Sequence, residues 1–372
     1  MILRIANTPR DYAWGSTTAI AELLGREPSG GPEAEYWLGD HPGSPAVVVD
    51  RPAVGRTLAE VTAQSPAGRL PFLMKVLAAA EPLSLQVHPT LAQAAEGFAR
   101  ENAAGLALDD PRRSYTDERH KPELVYALSD PFIALSGFRS IAASRAELAA
   151  VDEPCVNDFV QHRLTGDDIL GELIAWLLSG DPEVVHLAMA LTDWASEDGA
   201  PQLDDAQGTW ATVRRLAARY PEDPGIVIST LMNTVVLRPG EALYLPAGNL
   251  HSYQEGLGIE VMAASDNVIR GGLTPKHVDV DELLAILDPR PLPAPRLEPE
   301  TPQRGVSVFR PDVPDFALTV VEGEALADGC LVGDEGPGIL LCLDGQVSID
   351  GQATATQGDA YYLSNGPFEV SG

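Results

Sequence analysis

The chain has 372 residues, and its 54 acidic against 25 basic residues give a formal net charge of −29. This charge argues against nucleic acid as a partner, because its phosphates would be repelled. No apolar run is long enough to cross a bilayer, which argues against a membrane protein. The three scattered cysteines, Cys155, Cys330 and Cys342, predict reduced thiols and a cytoplasmic location.

Residues 1–138 are rich in short strands with Gly and Pro turns, and one helical patch lies around 90–104. Within this region residues 83–89 alternate like a strand, so Gln86 and His88 share one face. Such a pair is a weak signal by itself, since inward polar pairs are common in strands. His120, Lys121 and Glu123 then come together just before an apolar strand, although a solvated loop often has this composition.

The remaining segments predict three further regions. Residues 139–222 have helical spacing at 144–151, 167–178, 182–191 and 208–220, which predicts a helical insertion. Strands resume at Ile226, and residues 278–287 predict a short helix. Residues 289–302 carry six prolines and predict a stiff linker. Residues 303–372 show strand-turn-strand patterns without any histidine, which predicts a second, metal-free β-domain.

The stretch from Pro239 to His251 is the most informative motif and reads P-G-x5-P-x-G-x2-H. Its Pro and Gly residues predict a tight turn on each side of one short strand, and His251 begins the returning strand. This pattern is typical of the second metal-binding motif of the cupin (double-stranded β-helix) barrel. The alternative is a hairpin whose inward histidine is satisfied by a hydrogen bond.

Joined to this motif, the earlier polar residues predict a metal site. Two imidazoles, one carboxylate and one amide oxygen suit Zn²⁺ and leave a position for water or a substrate oxygen, although another divalent metal fits the same set. The fold class predicted is mainly β with a helical insertion. A cupin metal-binding domain would be formed by residues 1–138 and 223–288. The predicted ligands are Gln86, His88, Glu123 and His251.

Seven segments resemble, in order, the type I phosphomannose isomerase family of cupins. They are DYAWG at 11–15, AEYWLGDHP at 34–42, LPFLMKVL at 70–77, SLQVHP at 84–89, HKPE at 120–123, YLPAGNLH at 244–251 and ASDNVIRGGLTPK at 264–276. The resemblance places the family's zinc ligands on the same four residues and its active-site arginine on Arg270. Two departures are Glu255, where the general cupin motif has Asn, and a tail after Pro291 that matches only loosely.

The resemblance implies an enzyme with one zinc ion per chain that interconverts D-mannose 6-phosphate and D-fructose 6-phosphate through an enediol. Zinc and Arg270 would stabilise the negative oxygen of the intermediate. Proton shuttling falls to His120, Lys121 or Asp266, with Asp266 alternatively orienting Arg270. Supplying mannose activation or mannose catabolism would be the metabolic role.

Lys75 and Ser84 are predicted to bind the substrate phosphate, although a surface lysine and an ordinary strand serine are equally consistent with the pattern. Lys75, Lys121, Arg270 and Lys276 would have to converge on one pocket if so acidic a chain is to bind an anion. A sugar phosphate is the only partner expected, and the chain is expected to be a monomer. Two other classes remain open: a non-catalytic sugar-binding cupin, and another metal-dependent cupin enzyme such as an oxygenase.

Overall fold

The computed structural model describes residues 1–51, 53–166, 168–196 and 207–372. The first part contains β1 (Ile2–Ala6), α1 (Ala19–Leu23), β2 (Glu35–Leu38), β3 (Val47–Val48), α2 (Leu58–Thr62), β4 (Phe72–Ala79), β5 (Leu85–Val87), α3 (Leu91–Ala103), β6 (Glu123–Ala127) and β7 (Phe132–Phe138). A helical part follows with α4 (Ile141–Leu148), α5 (Pro154–His162), α6 (Leu170–Leu177), α7 (Pro182–Ser196), α8 (Thr209–Arg219) and α9 (Gly225–Leu231).

Strands dominate the rest of the chain. They begin with β8 (Met232–Leu237), β9 (Ala242–Leu245), β10 (His251–Ala263) and β11 (Ile269–Gly272), which α10 (Val280–Ile286) follows. The C-terminal part contains β12 (Arg296–Leu297), β13 (Glu300–Gln303), β14 (Val306–Phe309), β15 (Leu318–Val321), α11 (Gly323–Ala327), β16 (Cys330–Val332), β17 (Gly338–Leu341), β18 (Gln346–Ile349), β19 (Ala353–Thr356), β20 (Ala360–Leu363) and β21 (Phe368–Ser371). The chain is therefore mainly β with a helical stretch in the middle, as the sequence predicts.

Strand β10 is the centre of a ten-stranded sheet that carries the predicted metal motif. Its first residues pair with β5 and β7, and its last residues pair with β4 and β6. The register shifts between Tyr253 and Glu255, and Gly256 follows with a φ of +132° that glycine adopts readily. A β-carbon at Gly256 would lie 2.7 Å from the Phe132 ring. One strand thus changes partners at this point and joins both halves of the sheet.

The helical part confirms four of the predicted helices and corrects one predicted strand. Helices α4, α6, α7 and α8 overlap the four predicted segments, of which residue 167 lies outside the described residues, whereas α5 was not predicted. Ile226, Val227 and Ile228 belong to α9 and not to a strand. Their β-branched side chains favour strands, but all three are fully buried among the surrounding helices, and tertiary packing overrides that propensity. No helix in the described ranges is long and apolar enough to cross a membrane.

The two ends of the chain share one sheet. Strand β1 pairs with β20 on one side and β3 on the other, and β17 completes the order β17-β20-β1-β3. Residues assigned by the sequence to two different domains therefore form one set of hydrogen-bonded strands. The reason this was not predicted is physical: alternation identifies a strand and its buried face, but not the strand with which it pairs.

The predicted linker, residues 289–302, also contains strand residues. Strand β12 pairs with β9 beside the metal motif, and β13 begins a three-stranded sheet with β14 and β15. The second half of the segment is thus tied to its surroundings by backbone hydrogen bonds. Proline is compatible with such short edge strands, because it lacks only the donor.

Candidate active site

The predicted turn motif folds as the sequence indicates. Gly240 and Gly248 have φ values of +95° and +80°, which side-chain-bearing residues rarely adopt, and β9 lies between them. The Gly248 amide donates a hydrogen bond of 2.9 Å to the His88 carbonyl, which ties the second turn to the end of β5. His251 is the first residue of β10. The turn thereby brings the two histidines to the same place.

Three side chains converge there at full burial. His88 Nε2 lies 3.2 Å from Glu123 Oε1, and His251 Nε2 lies 3.4 Å from Glu123 Oε2. One nitrogen from each ring and one carboxylate oxygen lie within 4.8 Å of one another. The three residues are at most 1% exposed. This spacing is that of groups gathered around a single metal ion.

The hydrogen bonds of the two rings leave the correct nitrogens free for a metal. His88 Nδ1 lies 2.8 Å from the Asn267 carbonyl, and His251 Nδ1 lies 2.9 Å from the Asn249 carbonyl. Each Nδ1 therefore carries the proton, and each Nε2 presents a lone pair. Both Nε2 atoms and Glu123 Oε2 are buried and have no hydrogen-bond partner among the described residues. Unpaired buried polar atoms are costly, and a bound cation satisfies all three together.

The pKa shifts of His88 and Glu123 also favour metal binding by this cluster. Burial, with Lys121 close by, lowers the pKa of His88 to about 4, so the ring is neutral at pH 7. Burial alone would raise the pKa of Glu123, but Lys121 and His88 hold it well below its ordinary value. The Lys121 ammonium donates to Glu123 Oε1 at 2.6 Å and is 6% exposed. A charged carboxylate at Glu123 and a neutral imidazole at His88 are the protonation states that a divalent metal requires of these ligands.

Gln86 lies on the correct face for the fourth ligand. On one edge of β5 it pairs with His251 of β10, and on the other edge it pairs with Arg270 of β11. Residues directly opposite one another in neighbouring strands project to the same face. The three side chains therefore form a row across the sheet, with His88 two residues beyond Gln86. Metal ligation by Gln86 stays a prediction.

Lys75 is not available as a free cation. Its ammonium donates to Glu260 at 2.7 Å, lies 3.5 Å from Glu35, and is 5.2 Å from the centre of the Trp37 ring. Burial alone would lower the pKa of Lys75, but Glu260 and Glu35 raise it above its ordinary value. Two buried carboxylates thus neutralise a buried lysine that is only 5% exposed. This position favours a structural role over the predicted phosphate contact.

Arg270 and Lys276 differ from Lys75, because no carboxylate in the described residues neutralises their charge. Neither side chain has an ion pair or a hydrogen bond to another residue in the described ranges. Burial lowers the pKa of Arg270, and burial followed by the charge of Arg270 lowers that of Lys276. Both positive groups therefore lack a negative partner among the residues that the structure describes. An anion is what such a pair would bind.

Asp266 and Ser84 are placed near the centre with different surroundings. The Asp266 carboxylate is 51% exposed and lies 3.4 Å from His41 Nε2, so its contact is with His41 and not with Arg270. His41 is itself 5% exposed and accepts a hydrogen bond from the Gly43 amide at Nδ1. Ser84 is half-buried just before β5. Their roles with substrate stay predictions.

Sequence reasoning missed three polar residues around this site. Glu260 had a recognisable signal, since it interrupts an apolar run in a buried strand and pairs with Lys75 of β4. His41 lies within a family-like segment but was given no role. Asp315, which contacts His120 from the C-terminal part of the chain, had no local signal at all.

Fold and site together define a mainly β protein with a buried His–Glu–His cluster that could hold a metal ion. A family model described as phosphomannose isomerase type I, catalytic domain, matches residues 2–141. The mannose-6-phosphate isomerase of Escherichia coli (strain K12) is 39% identical and is aligned over 93% of this chain and 90% of its own length. That of Rattus norvegicus is 30% identical over 95% and 91%. The chain therefore belongs to the type I phosphomannose isomerase family.

Solved structures agree along the whole chain. A crystal structure of mannose 6-phosphate isomerase bound with zinc and yttrium superposes with a TM-score of 0.84 at 35% identity, covering 100% of this chain and 97% of the other. A zinc-bound holo structure of mannose 6-phosphate isomerase gives the same score, identity and coverage. The likeness thus extends to the C-terminal part, where the sequence resemblance is loose.

Proposed function

We propose that this chain is a zinc-dependent aldose–ketose isomerase that interconverts D-mannose 6-phosphate and D-fructose 6-phosphate. The observation that carries the proposal is the set of three buried ligand atoms on His88, Glu123 and His251, which lack a hydrogen-bond partner among the described residues. Family membership supports the choice of substrate, and the zinc in two similar structures supports the choice of metal. The metabolic role would be mannose activation or mannose catabolism.

One zinc ion would be held by the two Nε2 atoms, the Glu123 carboxylate and the Gln86 amide oxygen. Bound there, zinc supplies Lewis-acid polarisation of a substrate oxygen. The donor set suits this metal, because imidazole nitrogens and carboxylate oxygens are its common ligands in enzymes. A binding position would remain for the substrate.

Arg270 would stabilise the negative oxygen that develops as the enediol forms. It lies opposite Gln86 on the same face as His251, so its guanidinium projects toward the centre. It lacks an anionic partner in the described parts of the chain, so its charge is not already neutralised. A fixed, permanently charged donor in a half-buried position needs little rearrangement during the reaction.

Lys276 would bind the phosphate. Among the four candidate cations in the sequence, Arg270 and Lys276 alone are unmatched by carboxylates in the described residues, and Arg270 is assigned to the enediol oxygen. Lys75 remains a candidate for the same role, but its ammonium already contacts Glu260 and Glu35. Ser84, two residues before Gln86 and on the same face, would donate its hydroxyl to the phosphate.

Proton transfer would involve Lys121 and Asp266. The Lys121 ammonium is held beside Glu123 at 2.6 Å, where it can give a proton to a substrate oxygen. The Asp266 carboxylate is exposed at the edge of the site, and the contact with His41 fixes its direction. It would remove the proton from the carbon next to the carbonyl. The net reaction moves hydrogen between neighbouring carbons and consumes no other reactant.

The finer features of the fold belong to the same proposal. The sheet around β10 would be a cupin barrel formed by residues 1–138 and 223–288, with residues 139–222 inserted as helices. Residues 303–372 would be a metal-free β-domain joined through residues 289–302. The protein would act as a cytoplasmic monomer. Light scattering of the purified chain measures its mass and so tests whether it is a monomer.

The function is tested by metal analysis and a coupled assay on the purified protein. Mass spectrometry of metals should find about one zinc per chain, and mannose 6-phosphate should be converted to fructose 6-phosphate. A chelator should abolish turnover, and added zinc should restore it. Binding of the sugar phosphate without turnover would instead indicate a non-catalytic sugar-binding cupin. Zinc-independent turnover would contradict the metal role.

A further inference from the structure

A loop of the C-terminal part reaches the segment that precedes the metal ligand Glu123. Asp315, in the loop of residues 310–317 between β14 and β15, lies with Oδ2 3.0 Å from His120 Nε2. The two side chains are 18% and 22% exposed, so water competes only partly for the contact. The residues are 195 positions apart in the chain. The contact is therefore tertiary and joins two distant segments.

The loop that carries Asp315 is anchored on both sides. Phe309, at the end of β14, is 1% exposed and packs edge-on against Tyr126 of β6 with ring centres 5.4 Å apart. Phe316, directly after Asp315, is 7% exposed and belongs to the same apolar cluster as Tyr126. Two buried aromatic residues thus fix the loop against the sheet. The Asp315 carboxylate has little freedom to leave His120.

The segment that carries His120 is anchored on its other side by Asn267. The Asn267 side-chain amide donates to the carbonyls of Asp117 and Arg119 at 2.9 and 2.8 Å. The carbonyl of Asn267 in turn accepts the hydrogen bond from His88 Nδ1. One residue therefore holds both a metal ligand and the segment 117–119. His120 follows immediately, and Asp315 is its contact from the C-terminal loop.

Lys121 directly follows the segment that these two contacts anchor. It is joined to His120 by one peptide bond, and its ammonium donates to Glu123 at 2.6 Å. A shift of about 1 Å in a group next to the chemistry is enough to cost roughly 10²-fold in rate. A contact that holds His120 therefore also limits how far the neighbouring Lys121 can shift.

We propose that Asp315 is a positioning residue, and that it fixes Lys121 through His120. The C-terminal part of the chain would thus complete the active site with one carboxylate. The inference rests on the proposed isomerase activity, since Lys121 acts in that reaction. It assigns to residues 303–372 a role beyond covering the sheet.

The test compares Asp315→Ala, Asp315→Asn and wild type as full-length zinc-loaded proteins. Asp315→Ala should lower kcat by about tenfold, with KM and zinc content close to those of wild type. Asp315→Asn should recover most of the loss, because its amide oxygen still accepts a hydrogen bond from Nε2. Asp315→Ser, too short to reach His120, should lose as much as Asp315→Ala and serves if the alanine variant does not fold.

A double variant separates positioning from general support of the fold. In the His120→Ala background, Asp315→Ala should cause no further loss, since the two residues act as one unit. Asp312→Ala changes an exposed carboxylate of the same loop and should leave kcat unchanged. Additive losses, zinc loss in Asp315→Ala, or equal losses in both loop variants would overturn the inference. So would a wild-type kcat in Asp315→Ala, whereas an inactive wild-type protein would overturn the proposed function itself.

Discussion

The basic residues around the candidate metal centre form two contrasting pairs. Lys75 and Lys121 are buried and each donates to a carboxylate, at 2.7 and 2.6 Å. Arg270 and Lys276 are more exposed and have no anionic partner within the described ranges. Burying a charge requires a matching one, so the first pair is committed to the protein itself. The charge of the second pair is not neutralised by carboxylates in the described residues, so we expect it to interact with a ligand. The comparison predicts different losses from different substitutions.

The largest effect is expected at Glu123, the carboxylate that Lys121 contacts. Glu123→Ala removes the one carboxylate of the centre and leaves Lys121 buried without its partner. Zinc content should fall to background and turnover should become undetectable, as metal analysis and the coupled assay would show. Glu118→Ala removes an exposed carboxylate of the same segment and is the matched control. Full zinc content in Glu123→Ala would remove Glu123 from the ligand set.

Arg270→Ala should give the next largest effect and the clearest contrast. Loss of a fixed donor to a developing oxyanion costs about 10²–10³ in kcat. Zinc content should stay at the wild-type value, because the guanidinium stabilises charge and ligates nothing. Arg112→Ala, at an exposed arginine paired with Asp110, provides the control. Near-normal turnover in Arg270→Ala would exclude the arginine from the mechanism.

Lys75→Met tests the buried pair of lysines by its effect on the free energy of unfolding. The substitution leaves Glu35 and Glu260 buried without a cation, and breaking a buried ion pair in this way costs about 3–5 kcal/mol. Denaturant unfolding of the two proteins measures the difference. Arg290→Ala, in an exposed pair with Asp288, should leave the unfolding midpoint unchanged. If Lys75→Met instead kept its stability and weakened binding of the phosphorylated sugar alone, the original phosphate prediction for Lys75 would hold.

The sequence predicted the parts of this site that have local patterns. The turns around β9, the inward His251 and the same-face pair in β5 all follow from short-range rules for glycine, proline and alternation. The pairing of charges did not follow. Lys75 donates a hydrogen bond to Glu260, which lies 185 residues further along the chain, and nothing near Lys75 in the sequence indicates that partner. The contact between His120 and Asp315 was hidden for the same reason.

The fold shows the same division between local and long-range information. Four helices of the middle part were predicted from their periodicity. The prediction of a strand from the β-branched run at Ile226 was wrong, because burial among helices outweighs the intrinsic propensity of these residues. The pairing of β1 with β20 joins residues more than 350 positions apart. Only three-dimensional packing reveals such pairs.

The smallest effect is expected at Lys276. Lys276→Ala should raise KM for mannose 6-phosphate by about tenfold, which corresponds to about 1.4 kcal/mol of binding free energy, with kcat nearly unchanged. Because Lys276 is exposed, added salt should weaken its attraction for the phosphate, so KM of wild type should rise with ionic strength more steeply than KM of the variant. Arg51→Ala, at another exposed cation, should leave both KM and its salt dependence as in wild type. Equal salt dependence in Lys276→Ala and wild type would mean that Lys276 does not bind the phosphate.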